Sequence, residues 1–415
     1  MDPSLEVLMF PVDRPFSPSS RSEDKSSGRR AFSSKVKRKV LDNGLTVLII
    51  ESHELPVVSH WIWYAVGSRD EKSNETGLSH FLEHMMFKGT DSYPKGSIDS
   101  TTARLGGSNN AMTSHDYTAY YFNLKSDRWE EALEIESSRM RHCLLDKVEF
   151  ESEKKVVIEE LKMGEDEPWR PLCQAVESIA YMVHPYRHPV IGWRDDLEGL
   201  TRDRMLDYYD RNYSPDRATL VVVGDVKWRD ALGRIQEHMG QITASGHQRE
   251  EVPKEPVQKG ERRLVVRFPG NLPRLAMSWH TCRFGERDDI VLDMVSTLLS
   301  GGKSSRFYRS LVQGKELAAS AEAINETRVD PGLFWILSEG KADTSPEALE
   351  AAVNEEVQKL ADDGPKAAEM KRCKRMLLST FYFDLETVSS QAARIGRAEA
   401  LLKHLLGHRV YVDST

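Results

Sequence analysis

The sequence predicts an α+β protein of two related domains, each a mainly antiparallel sheet with helices packed on one face. Three observations carry this expectation. The chain has 415 residues, 39% of them hydrophobic, which is enough apolar material for two or more cores. Its ordered part opens with short β-rich runs that give way to a helical period. The same order of strand, turn, strand, helix and glycine then returns in the second half.

Taken in order, residues 1–35 (with FSPSSRSEDKSSGRRAFSS) have no hydrophobic period and read as a disordered tail. The first domain, residues 36–245, starts at KRKVLDNGLTVLIIESH, two β-rich runs around an Asn-Gly hairpin signal. PVVSHWIWYAVGSRDE adds a strand and leads into a helix. SNNAMTSHDYTAYYFNL alternates as a strand, opened by Gly106 and Gly107. Residues 246–260 are polar and charged, as a linker should be. In the second domain, residues 261–415, RRLVVRFPGNLPRLAMSWH reads as strand, turn and strand before a helix and SGG. EALEAAVNEEVQKLADDGPKAAEMKRCKRMLL reads as two amphipathic helices.

Several function classes are excluded at this level. A net charge of −8 without a sustained basic stripe argues against nucleic acid. No apolar run approaches the roughly 18 residues of a membrane span, and the start lacks the order of a secretory signal. Cys143, Cys173, Cys282 and Cys373 are scattered without metal-site spacing, which fits reduced thiols and a cytoplasmic location. SGGKSS lacks the spacing of a phosphate loop. His115, His184 and His188 read as hydrogen-bonded loop histidines rather than ligands.

The chemistry concentrates in HFLEH, residues 80–84. Leu78, Phe81, Leu82 and Met85 fall at i, i+3, i+4 and i+7 and form the core stripe of a helix. His80, Glu83 and His84 then share another side, where the two imidazoles can converge on one Zn²⁺ ion with the carboxylate beside it. The alternative is a solvated polar face. Downstream, VEFESEKKVVIEELKMGEDEP reads as a helix with Val157, Glu160, Leu161 and Gly164 on its packed side and Glu153 a heptad before Glu160. A carboxylate on a packed side is costly unless it is paired or bound to a metal. Glu160 is therefore the better third ligand, and Glu159 the solvated neighbour. Glu153 is placed to hold one of the histidines from behind.

With these residues in view, the sequence resembles the pitrilysin family, whose HxxEH motif is followed about 76 residues later by a third, glutamate ligand. Glu160 stands 76 residues after His84. The resemblance runs from Val36 to the C-terminus through GLSHFLEHMMFKGT, GGSNNAMTSHDYTAYYFNL, HPYRHPVIGW and LLSGGKSSRFYRSLV, and is nearest to bacterial members like the mitochondrial processing peptidase. It implies a Zn²⁺ endopeptidase acting on peptides or unfolded segments, with His80, His84 and Glu160 on the metal and Glu83 as general base. It also implies that Asn110, Ala111 and Thr113 lie on an edge strand to which an extended peptide is added.

Two departures qualify what the resemblance implies. The family's substrate-binding Arg/Tyr pair is replaced by Val312 and Ala319, so a paralogous partner subunit carrying that pair is expected. The sequence ends at HRVYVDST before any counterpart of RATLVVVGDV, which leaves a second domain that is truncated or completed by different packing. Matching Leu298 and Leu299 to Met85 and Met86 puts Asp293, Ser296 and Thr297 where the first half has its motif, so the second domain is expected to be metal-free. The rival reading is a non-catalytic structural or binding subunit of a peptidase-like heterodimer.

Overall fold

The computed structural model describes residues 35–406, so the expected disordered tail, up to residue 34, and the final HRVYVDST lie outside the described residues. A hairpin joins β1 (Lys37–Val40) to β2 (Thr46–Glu51), closed by Leu41 N–H donating to Leu45 O at 2.9 Å. After β3 (Val57–Tyr64) come α1 (Leu78–Met85), α2 (Ser97–Arg104), β4 (Ser108–Thr113) and β5 (Thr118–Lys125). Five helices follow, α3 (Glu130–His142), α4 (Lys147–Glu165), α5 (Trp169–Ala180), α6 (Arg194–Gly199) and α7 (Arg202–Asn212), before β6 (Ala218–Gly224) and α8 (Trp228–Met239) complete the first half. The second half contains β7 (Arg274–His280), α9 (Arg287–Ser300), β8 (Ala318–Glu326), β9 (Leu333–Gly340), α10 (Pro346–Asp363), α11 (Ala367–Phe383) and α12 (Val388–Leu406). Among the described residues no helix is long and apolar enough to cross a membrane.

The first sheet has the order β1-β2-β6-β3-β5-β4, with β2 and β6 parallel and every other pair antiparallel. Its central strands β2, β3 and β6 are buried at nearly every position because both faces are covered, and most of those positions are apolar. Val47, Ile49, Ile62, Tyr64, Leu220 and Val222 point to the cluster that contains α1, α4 and α7. Their neighbours Leu48, Ile50, Trp61, Trp63, Val221 and Val223 point the other way, to Ala392 and Ala400 of α12. The helix covering that second face thus belongs to the other half of the chain.

The exchange is reciprocal. The second sheet, β7-β9-β8, is antiparallel throughout. Phe334 and Ile336 face Leu299, Phe307 and Leu349 of their own half, whereas Leu333 and Trp335 pack on Val176 and Ala180 of α5. Own-half helices lie on one face of each sheet, as expected, and a helix from the other half closes the opposite face. Between the halves Arg69 reaches Asp330 at 2.5 Å and Asp116 accepts from Val329 N at 3.1 Å, while within the first half Asp116 also accepts from Tyr186 Oη at 2.5 Å.

One expected strand is missing from its ladder. RRLVVRF, residues 262–268, alternates in exposure but pairs with no strand, and Val265 is 89% exposed. In the first sheet β2 is held by β1 and β6. No strand among the described residues occupies the place of β6 beside β7, so the propensity of 262–268 has no partner to bond.

The exchanged helix gives a test. A Cβ at Gly396 of α12 would lie 2.0 Å from Trp63 Nε1, whereas one at Gly233 of α8 meets nothing within 4 Å. Gly233→Ala is expected to stabilise the protein by about 0.5–1 kcal/mol. Gly396→Ala is expected to destabilise it by about 1–3 kcal/mol, because the ring must move out of a packed core. Denaturant unfolding of the two variants measures the difference, and a stabilised Gly396→Ala would show that α12 does not sit on Trp63.

Candidate active site

α1 starts where the backbone is forced into close contact. Gly77 has φ +87° and Gly192 has φ +88°, and a Cβ on Gly192 would stand 2.6 Å from Gly77 Cα. Only glycine fits both requirements, which explains why GLSH and VIGW carry one each. The first turn is then capped from a distance. The buried Glu71 carboxylate accepts from Gly77 N at 2.8 Å and Ser79 N at 2.7 Å, satisfying donors that the helix leaves free. Burial pushes the Glu71 carboxyl up to about 8, and these same hydrogen bonds oppose the shift.

Leu78, Phe81, Leu82 and Met85 are buried as the core stripe of α1. Phe81 packs on Phe150 of α4 with ring centroids 4.8 Å apart, so the two helices meet side by side. α4 is capped by Asp146, which accepts from Val148 N and Glu149 N, and it buries Phe150, Glu153, Val157, Leu161 and Gly164. Glu160 lies next to that buried stripe and faces α1. Glu159 faces solvent and pairs with Lys162 at 2.5 Å.

The structure brings His80, His84 and Glu160 together, with one ligand atom from each within 4.8 Å of the others, the one such group among the described residues. His80 Nε2 is 3.7 Å from Glu160 Oε1, and His84 Nε2 is 3.4 Å from Glu160 Oε2. Donors bound to a tetrahedral ion at about 2.0–2.1 Å stand about 3.3–3.4 Å apart, so the two carboxylate contacts are close to those of a bound ion and the three residues fit Zn²⁺ as a ligand set. His84 Nδ1 meets Glu153 Oε1 at 3.0 Å, which fixes the ring with Nε2 toward the cluster. Lys88 holds the other Glu153 oxygen at 2.6 Å.

Electrostatics separate the two histidines. Burial, with help from the nearby His84 charge, lowers His80 to about 4. Burial also pulls His84 down, but its bonds to Glu153 and Glu160 outweigh this and raise it to about 9. The bond from His84 is the main reason Glu160 is held below the ordinary glutamate value. Glu83, beside the cluster and outside it, is shifted upward by burial against the opposing bond from Thr113.

The expected substrate residues lie on β4, the edge of the sheet, but they do not act alike. Ser114 N bonds to Tyr117 O across the β4–β5 turn. The antiparallel alternation therefore turns the N–H and C=O of Thr113, Ala111 and Asn109 to the free edge. Thr113 Oγ1 donates to Glu83 Oε2 at 2.5 Å. Ala111 packs against the core below, and Asn110 turns its Oδ1 onto Ala111 N at 2.9 Å.

In the second half Asp293 accepts from Asn325, and Ser296 and Thr297 donate to Asp293 O, so no ligand set forms there. His184 bonds to Asp330 and His115 to His188 O, away from the cluster. Sequence reasoning missed Glu71, Lys88 and Arg170. The Arg170 side chain crosses α4 at Gly164, where a Cβ would meet its Nη1 at 2.0 Å. The clue to that crossing was a glycine on the packed side, one turn beyond Glu160.

Comparison with known proteins agrees in extent and order. Residues 46–193 match the Insulinase (Peptidase family M16) model, and residues 199–377 match the Peptidase M16 inactive domain model. The zinc protease PqqE of Helicobacter pylori is 31% identical over 357 residues, 85% of this chain and 80% of that protein. YmxG of Bacillus subtilis, described as an uncharacterized zinc protease, is 28% identical over 370 residues, 89% of each. A protease structure from Helicobacter pylori has a TM-score of 0.83 at 28% identity, covering 89% of this chain and 92% of that one. A peptidase M16 inactive domain structure from Pseudomonas fluorescens shares the fold, with a TM-score of 0.78 at 18% identity over 89% of each chain. By its sequence relatives and both of its matched domains, the chain belongs to peptidase family M16, the pitrilysin family.

Proposed function

We propose that the chain is a zinc-dependent endopeptidase that hydrolyses peptides or unfolded segments added as a strand to β4. The observation that supports this best is the convergence of His80 Nε2, His84 Nε2 and the Glu160 carboxylate, with Glu83 beside them. Relatives described as zinc proteases support the same reading. A Zn²⁺ ion held by His80, His84 and Glu160 would supply a Lewis acid and lower the pKa of a bound water to about 7.

The remaining work belongs to the protein. Glu153 orients His84 from behind. The outward N–H groups of Asn109 and Thr113 and the outward C=O groups of Asn109, Ala111 and Thr113 hold the peptide backbone in extended form, whatever its side chains. Glu83 accepts the proton of the attacking water and returns it to the leaving amine, a task favoured by its raised proton affinity. Donors for the developing oxyanion are not offered by the side chains of Val312 or Ala319, so a paralogous subunit with an Arg/Tyr pair is proposed to supply them. Peptide hydrolysis by the purified chain with and without such a subunit tests this, and full activity in a verified monomer would remove the need for a partner.

Metal binding is expected at one Zn²⁺ per chain. Glu153→Gln should weaken it by about 10- to 100-fold, the range for a group that supports a ligand. Glu160→Gln should weaken it further, and Glu159→Gln should leave it unchanged. Elemental analysis and competition titration read these affinities, and equal values for the Glu160 and Glu159 variants would overturn the ligand set.

The histidine shifts set a pH dependence. His84, raised to about 9, is protonated at pH 7, whereas His80, lowered to about 4, is neutral there. Zinc takes only the deprotonated ring, so binding at pH 7 should release about one proton from His84 and about half a proton from a bound water of pKa about 7, and affinity should rise with pH until about 9. Calorimetry in two buffers of different ionisation enthalpy counts the protons. A count of about one half or less would contradict the His84 assignment.

Glu83→Gln should keep fold and zinc while lowering turnover by about 10²- to 10⁴-fold, the contribution of a positioned general base. Peptide hydrolysis by the zinc-loaded variant measures it. Near wild-type turnover would exclude Glu83 as the base.

A further inference from the structure

We propose that Thr113 is a positioning residue that ties the base to the strand receiving the substrate, reading the peptide backbone with its main chain and aiming Glu83 with its hydroxyl. This rests on the reading of the site as a peptidase. Thr113 Oγ1 donates to Glu83 Oε2 at 2.5 Å, the one hydrogen bond recorded for the Glu83 carboxylate among the described residues. Oε1 is thereby left to receive the proton of a water. A glutamate side chain has several soft torsions, so an unheld carboxylate spends little of its time aimed at one point. Threonine is stiff at χ1, and here it sits on a strand whose next residue is locked by Ser114 N to Tyr117 O at 2.8 Å.

The same residue turns its N–H and C=O to the free edge of β4, where an added strand forms its bonds. The path from peptide backbone to base therefore runs through one rigid residue. Peptide register and base position are set together by Thr113, and strand addition does not need the hydroxyl. Removing the hydroxyl should accordingly reduce the chemical step and spare binding.

The test compares Thr113→Val, which keeps the shape, with Thr113→Ser, which keeps the hydroxyl, both in the full zinc-loaded chain with any subunit that wild-type activity requires. Thr113→Val should lower kcat by about 10- to 100-fold, the effect of losing a hydrogen bond to a charged group, with KM within about twofold. Thr113→Ser should restore kcat to near the wild-type value. Wild-type kcat in the Val variant, a change confined to KM, or equal losses in both variants would overturn the proposal. Crystal structures of the metal-free variants give a readout independent of turnover, with Glu83 expected to leave its position in Thr113→Val and keep it in Thr113→Ser. If the wild-type chain binds zinc but cleaves nothing, the peptidase reading fails, and those structures still decide Thr113, since an unmoved Glu83 in the Val variant removes its role.

Discussion

The site depends on the side-by-side packing of α1 against α4. Two histidines one turn apart can face one ion on any helix, but a third donor must come from elsewhere in the chain and arrive at the right depth. Phe81 against Phe150 sets that depth, placing the half-exposed Glu160 opposite both imidazoles. Shifting either helix along its axis by one residue, about 1.5 Å, would separate donors that now stand 3.4–3.7 Å apart. The cap from Glu71 and the contact of Gly77 with Gly192 resist that shift for α1, and the Asp146 cap fixes the start of α4.

The two halves are joined by more than a linker. Each lends one helix to the other's sheet, so neither sheet has its second face buried without the other half. The exchange also reaches the edge strand β4. Asp116, in the turn that ends β4, accepts from Val329 of the second half and from Tyr186, while Arg69, just before α1, pairs with Asp330. These charges are largely withdrawn from water, where an unpaired partner is costly. Relative movement of the halves must therefore disturb the turn of β4 and the approach to α1, the two elements between which a peptide would lie.

What could be read from sequence was whatever a single element reveals about itself. Helical period separated Glu160 from Glu159, and the structure places Glu160 at the cluster and Glu159 on Lys162 at the surface. The same period marked the buried stripe of α1. It could not say which sheet an amphipathic helix covers, because α5 and α12 show an apolar face without an address. Nor could it reveal Glu71, which caps α1 from a loop with no period, or the hydroxyl of Thr113 on Glu83, a contact made 30 residues apart. RRLVVRF failed in the opposite direction, since β propensity is expressed only when a neighbouring strand takes the hydrogen bonds.

The charges around His84 are balanced among the cluster's own side chains. Glu153 and Glu160 approach one imidazole from its two ends, and two carboxylates so close to it would favour separation if the ring were neutral. A proton on His84 resolves this, and its raised affinity is the measure of how strongly the carboxylates require a cation between them. His80 carries no such proton, because burial and the charge on His84 both act against it. The two carboxylates thus favour positive charge between them, whether a proton or a cation supplies it.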